Sequence, residues 1–417
     1  MNSHQLQILF LDLAIILVMA RGLGHLASRI RQPPVVGEIL AGVLLGPTLF
    51  DGVLSETLFP DDVRPVLSGV ANLGVALFMF VVGLEIEGNL MKGHGRTTVA
   101  AAVGSTAVPF LLGIGLAFAL MPGHDPADRG TFVVFIGLAV SVTAFPVLAR
   151  ILAERGLTRT AIGGIALAAA AFVDVVAWAA LAAVNASVGA AGDHRLVLLT
   201  VPYLAAMLFV VRPLLRRVLA PGDKAAEPGP LKFAVVLVGA LLSAAATEAM
   251  GMHHIFGAFL FGLMVPRERA QALRADLHDR TTHLTSVLLP VYFVVAGFQV
   301  DLGGIGLGGL RELSLILLVA IAGKFGGTYL GARATKLAPR PSATLAALMN
   351  TRGLTELVIL GVGLQLGLLD DSLYSLMVVM AVVTTVMTGP LLSLAGSGRS
   401  GTPADGTAPR ERISAAP

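Results

Sequence analysis

The chain contains no cysteine, which excludes disulfides, thiolate chemistry and zinc-thiolate sites outright. Charge is scarce as well: 13% of the 417 residues are Asp, Glu, Lys or Arg, against about a quarter in an average soluble domain. The net balance is only +3, and the basic residues lie in short stretches between apolar runs, not in one patch, so nucleic acid is not an expected partner. No nucleophile-base pair and no HExxH pattern marks an enzyme. No repeated carbonyl-rich filter sequence marks a channel. Met1 to Gln7 lack the basic flank and small-residue cleavage site of a secretory signal, so the first apolar run reads as a retained span.

What is present is apolar. Hydrophobic residues make up 55% of the chain and glycine contributes 48, a composition that suits close helix packing in lipid. A spanning helix needs roughly 20 mostly apolar residues. On that measure the sequence predicts an all-α polytopic membrane protein of about 13 transmembrane helices, near 5–25, 33–50, 65–86, 98–120, 130–153, 160–186, 197–218, 231–250, 253–266, 283–301, 312–335, 343–368 and 372–395. The connections alternate in charge. Arg29 and Arg31, Lys92 and Arg96, Arg155 and Arg159, Arg216 and Arg217, Arg267 and Arg269, and Lys336 and Arg340 mark one side. Asp51 and Asp61, Asp125 and Asp128, Asp193, Asp301, and Asp370 with Asp371 mark the other. Because cytoplasmic loops are enriched in Lys and Arg, this alternation predicts an N-terminus outside and a C-terminus inside. The Gly, Ser, Pro and Ala rich segment 397–417 reads as a disordered cytoplasmic tail, and 1–396 as the transmembrane unit.

Two pairs of segments repeat. Gly37 to Pro47 and Gly257 to Pro266 both read as Gly, four residues, Gly, then a terminal Pro. Phe80 to Glu87 and Val294 to Asp301 follow them in the same order. The separation is an odd number of spans, so equivalent helices cross in opposite directions: an inverted repeat of the kind that places a transport site near the midplane.

Ionisable groups in hydrocarbon are costly and are functional candidates by default. Asp174 stands mid-span in Ala171-Phe172-Val173-Asp174-Val175-Val176-Ala177-Trp178 with no basic residue within one turn. A carboxyl group there is costly to ionise and holds a proton readily, and the same oxygens are hard ligands for Na⁺ or K⁺. One group that takes a proton or a cation, but not both, supplies the competition an exchanger needs. Two spans carry signals of a broken helix: Ser141, Thr143 and Pro146, where the proline removes a backbone donor, and Asn350, Thr351, Arg352, Gly353 and Glu356, a polar cluster inside an apolar run. Non-helical backbone at that depth is tolerated only against protein or a water-filled cavity, so both clusters are expected to line the site. Lys324 is too deep in its span to snorkel and is expected to supply a cation near Asp174. Arg352 and Glu356, one turn apart, are placed to pair. Glu38 and Glu248 read as structural, His253 and His254 as an interfacial loop, and Gly304 to Gly309, with no βαβ unit around it, as a flexible connection.

The stretches QPPVVGEILAGVLLGP (32–47), FMFVVGLEIE (78–87), SVTAFPVLARIL (141–152), Pro290 to Leu302 and LAALMNTRGLTELVIL (345–360) resemble the sodium/hydrogen exchanger superfamily, most closely its monovalent cation/proton antiporter-2 branch with the Kef-type proteins. The resemblance implies secondary antiport of H⁺ against Na⁺ or K⁺, no cofactor beyond the transported ions, and a homodimer. In it a core, here about 98–186 and 312–395, moves against a dimerisation domain by elevator-like alternating access. It assigns Asp174 as the ion-binding aspartate, Thr143 to the unwound helix, Lys324 as the embedded lysine, and Arg352 and Glu356 to the second crossing helix. Members often carry Asp, Asn or Gln before the aspartate, and Val173 departs from that. One carboxylate then favours one-for-one, electroneutral exchange, with Lys324 paired to Asp174 or partly deprotonated. The chain ends without the nucleotide-binding regulatory domain of Kef-type proteins, so ligand gating of that kind is not expected. The weighed alternative is a carrier of an organic anion or drug on the same scaffold, with Lys324 and Arg352 as its basic groups. A plasma-membrane location is expected.

Overall fold

The computed structural model describes residues 3–30, 32–48, 53–85, 95–126, 128–158, 160–189, 199–219, 229–250, 253–266, 271–303 and 305–394. Among the sequence features above, Arg31, Asp51, Ile86, Glu87, Lys92, Arg159, Asp193, Arg267, Arg269, Gly304 and the tail 397–417 lie outside those residues. All regular structure described is helical. The helices are α1 (Ser3–Arg29), α2 (Pro34–Leu45), α3 (Val53–Leu58), α4 (Arg64–Glu85), α5 (Gly95–Leu120), α6 (Arg129–Ser141), α7 (Phe145–Glu154) and α8 (Ala161–Gly189). They continue as α9 (Thr200–Ala206), which passes through a π turn at Met207–Val211 into α10 (Arg212–Val218), then α11 (Pro230–Ala249) and α12 (His254–Met264). The last are α13 (Gln271–Gly297), α14 (Leu307–Ala334), α15 (Pro339–Met349), α16 (Leu354–Gln365) and α17 (Asp371–Leu394).

Seven of these are long and apolar enough to cross a bilayer unbroken, and α15 with α16 passes as one span bent by 44°. Every expected span coincides with helix, but the count of about thirteen is not reached by length and composition alone. The reasons are that α2, α6 and α12 hold only 12, 13 and 11 residues, about 16–20 Å of helix against a core of about 30 Å, that α9 and α10 hold 7 each around the π turn, and that α13 carries Arg274, Asp276, Asp279 and Arg280 in its first half. Gly308 and Gly309 differ from expectation: they belong to the first turn of α14, not to a flexible connection.

The described surface is apolar where lipid would lie. Phe10, Val18, Leu111, Phe118, Phe209 and Leu242 are all exposed, a pattern a soluble protein of this size does not sustain. Inside, α1, α2, α4, α11, α12 and α13 pack mainly on one another, and α5, α6, α8, α14, α15 and α17 do the same. The repeat is visible as exchanged glycine contacts. A Cβ on Gly42 of α2 would come within 2.8 Å of the Cα of Gly297 in α13, and one on Gly83 of α4 within 3.2 Å of the Cα of Gly262 in α12. Each half therefore closes its short helix on the long helix of the other half. Gly104 of α5 and Gly327 of α14 face each other's carbonyls. Outside the bilayer, Asp128 caps α6 by accepting from the Thr131 amide at 2.7 Å. The hydrogen bonds from Thr131 hold the Asp128 carboxyl below the ordinary carboxylate range.

Candidate functional site: two interrupted helices around a buried carboxylate

Residues 142–144 separate α6 from α7, and 350–353 separate α15 from α16. Pro146 occupies the second position of α7, where a missing N–H is harmless because first-turn donors have no intrahelical partner. Gly353 precedes α16 in extended backbone. The two breaks meet. The amide of Ala144 donates to the carbonyl of Thr351 at 3.1 Å, and the hydroxyl of Thr143 donates to the carbonyl of Met349 at 3.0 Å. Each unwound segment thus satisfies part of the backbone that the other leaves open, as buried polar groups require.

α17 supplies the rest. The hydroxyl of Thr385 accepts from the Arg352 amide at 3.0 Å and donates to the Arg352 carbonyl at 2.7 Å. Asn350 donates to the Thr384 carbonyl at 3.5 Å, and Thr351 meets the Thr388 hydroxyl at 3.4 Å. These threonines were not singled out from the sequence. Thr384, Thr385 and Thr388 form a polar patch in an apolar helix, but lone hydroxyls are common in spanning helices.

The carbonyl end of α6 collects the cations. Arg352 donates to Ala139 at 3.0 Å and to Val140, and Lys324 donates to Ser141. Three consecutive carbonyls at the negative end of a helix dipole thereby receive two positive side chains. Arg352 also pairs with Glu356 at 2.7 Å, with both side chains fully buried, so the expected pairing forms. Among the described residues no ion pair joins Lys324 to Asp174; the ammonium group is held by the Ser141 carbonyl.

Asp174 of α8 is 1% exposed. Its carboxylate lies in electrostatic reach of the Phe145 amide at the start of α7 and of the Thr355 hydroxyl in the first turn of α16. Among the described residues neither of its oxygens closes a hydrogen bond. A buried carboxylate beside the amino ends of two half-helices offers a place where a proton or a cation can be held. Val173 beside it is buried and apolar.

Two cavities lie between the helix groups. One, of about 90 Å³, lies at the end bearing Asp301 and Asp370 and is lined by Asn72, His253, Tyr292, Gln299, Gln365 and Tyr374 among others. The other, of about 200 Å³ at the opposite end, is lined by Arg21, Glu38, Phe78, Val147, Arg150 and Leu354 among others. Glu38, read from sequence as structural, thus lines a cavity with Val147 of α7 and Leu354, the first residue of α16. Asp12 of α1 escaped sequence notice entirely. It is fully buried with both oxygens unpartnered, among apolar residues of α1, α4 and α13.

Inverted repeats closing on one another, two crossed and interrupted helices, and a buried carboxylate between them make the architecture of an inverted-repeat membrane transporter. Residues 13–395 match the family described as sodium/hydrogen exchanger, transmembrane, and the chain belongs to that family. The Na(+)/H(+) antiporter NhaS4 of Synechocystis sp. is 36% identical, over 94% of this chain and 98% of its own length. Cation/H(+) antiporter 20 of Arabidopsis thaliana is 37% identical over 92% of this chain and 48% of its own, and K(+)/H(+) antiporter 1 of Saccharomyces cerevisiae 35% over 94% and 47%. The chain spans about half the length of these plant and yeast relatives. The sodium proton antiporter MjNhaP1 of Methanocaldococcus jannaschii superposes with a TM-score of 0.67, covering 94% of this chain and 98% of that one at 14% identity, which is a shared fold.

Proposed function

We propose that the protein is a secondary antiporter exchanging H⁺ for a monovalent cation, Na⁺ or K⁺, with Asp174 as the shared site. The observation that carries this reading is the Asp174 carboxylate itself: buried, unpaired, and met by the amino ends of α7 and α16. Its two oxygens take either a proton or, with Thr143 and unwound backbone nearby, a dehydrated cation. Antiport follows from that exclusivity when only the occupied site changes sides, because each crossing then carries one species or the other. Membership of the sodium/hydrogen exchanger family supports the reading, and relatives whose names specify Na⁺ and K⁺ are about equally similar, which keeps both ions in play.

The proposal includes elevator-like movement of the α5–α8 and α14–α17 group against the rest, within a homodimer in the plasma membrane whose N-terminus faces outward. With Val173 unable to hold a charge, one carboxylate supports electroneutral exchange. Lys324 and Arg352 direct their cationic heads into the carbonyl end of α6, an arrangement that speaks against their serving as receptors for an organic anion.

In proteoliposomes with an imposed pH gradient, Na⁺, K⁺, Li⁺ and Rb⁺ are added in turn. A cation that dissipates the gradient in wild type and fails in Asp174→Asn is the expected result. Equal flux in the variant, or no cation-dependent flux in wild type, overturns the assignment. Current driven by membrane potential alone would reject electroneutrality while leaving antiport standing.

A further inference from the structure

A second cluster of ligating side chains stands apart from Asp174. Glu248 lies in the last turn of α11, and His253 and His254 open α12. One carboxylate oxygen and one nitrogen from each imidazole lie within 4.8 Å of one another. The two rings are tilted, with centroids 4.2 Å apart. Glu248 Oε2 stands 3.2 Å from His254 Nδ1, close to the roughly 3.3 Å that separates two ligands on a tetrahedral zinc ion with bonds near 2.0–2.1 Å. Among the described residues His253 Nδ1 is buried without a partner, a costly state for a polar atom that a ligand relieves.

The supporting frame is rigid. Ser243 Oγ donates to the Gly257 carbonyl at 2.7 Å, and a Cβ on Gly257 would meet Thr247 Oγ1 at 2.6 Å, so α11 and α12 are locked one turn below the cluster. The Glu248 carboxylate also accepts from the His254 amide at 2.8 Å, which ties the end of α11 to the start of α12.

We propose that Glu248, His253 and His254 bind a divalent transition-metal ion of the zinc class, with water completing the coordination. Two imidazoles and one carboxylate, with no thiol, select Zn²⁺ or its neighbours over Mg²⁺ and Ca²⁺, which take oxygen ligands. Three protein ligands leave the fourth position open. His253 also walls the smaller cavity beside Gln299, Gln365 and Tyr374, where the two helix groups face each other. An ion held there fixes that wall and slows passage from this end; this second step rests on the exchange reading, whereas binding does not.

Zn²⁺ is titrated calorimetrically into the full chain in lipid nanodiscs, with Co²⁺ absorption as a report of tetrahedral coordination. One ion per chain is expected in wild type. Binding weakens about tenfold or more in the exposed-site variant Glu248→Gln and in His254→Ala, since even outer-shell losses cost 10–100-fold. No binding to folded wild type, or equal binding in the variants, overturns the site. In proteoliposomes, Zn²⁺ on the His253 side is expected to slow cation-driven proton flux in wild type and not in Glu248→Gln. Unchanged flux would reject the control step, and absence of any flux before Zn²⁺ would strike the exchange reading while leaving the calorimetric result intact.

Discussion

Arg352 shows how one side chain serves several partners. It is fully buried, pairs with Glu356, and donates into the end of α6. Its removal leaves a buried carboxylate and exposed helix carbonyls without counter-charge, so Arg352→Ala is expected to destabilise the protein by about 3–5 kcal/mol, read as a fall in melting temperature in detergent. If stability is unchanged, the cap on α6 is energetically idle. Glu38 is expected to act on approach rather than on the bound state. Glu38→Gln should raise the cation concentration for half-maximal flux about twofold, the scale of an exposed ion pair of about 0.5 kcal/mol, with maximal flux unaltered. At this scale the sequence was legible where charge interrupts apolar runs, as at Asp174, Lys324, Arg352 and Glu356. It was silent on partners, because the groups that hold Lys324 and Arg352 are backbone carbonyls, which every residue carries.

Helices here approach as closely as glycine permits. Gly42→Ala and Gly262→Ala would each press a Cβ onto backbone of the opposite repeat, and neither helix can yield without separating. Each is expected to cost about 1–3 kcal/mol or more by overpacking. Gly69 of α4 has nothing within 4 Å of an added Cβ, so Gly69→Ala should be neutral or gain up to about 1 kcal/mol from helix propensity. Thermal unfolding of the three variants tests the ranking, and equal effects at Gly42 and Gly69 would remove the glycine contacts from the account of the fold. The Gly-x4-Gly spacing was visible in both repeats before the structure. Which helix each glycine touches was not, since partner choice depends on how the halves interlock.

On the scale of the molecule, two cavities lie between the helix groups at opposite ends, and side chains of both groups line each. The chain carries no cysteine, so single replacements report access cleanly. Under the elevator proposal, Val147→Cys and Gln365→Cys, on opposite ends of the moving group, should change their reactivity toward a hydrophilic thiol reagent in opposite directions when the transported cation is added. Parallel changes, or none, would indicate a group that does not alternate.

The sequence by itself determined the solvent, the helical class and the inverted order of the repeats, and it marked Asp174 as a carboxylate deep within a span. Each of these follows from composition or spacing, because lipid admits few polar groups and makes each one conspicuous. Only the tertiary structure decided that α7 and α16 turn their amino ends toward Asp174, that Lys324 joins Ser141 instead of Asp174, that α17 threonines mend the broken backbone, and that Glu248 meets His253 and His254. Those are contacts between distant segments. Their geometry is set by how closely the helices pack, a quantity that no local pattern encodes.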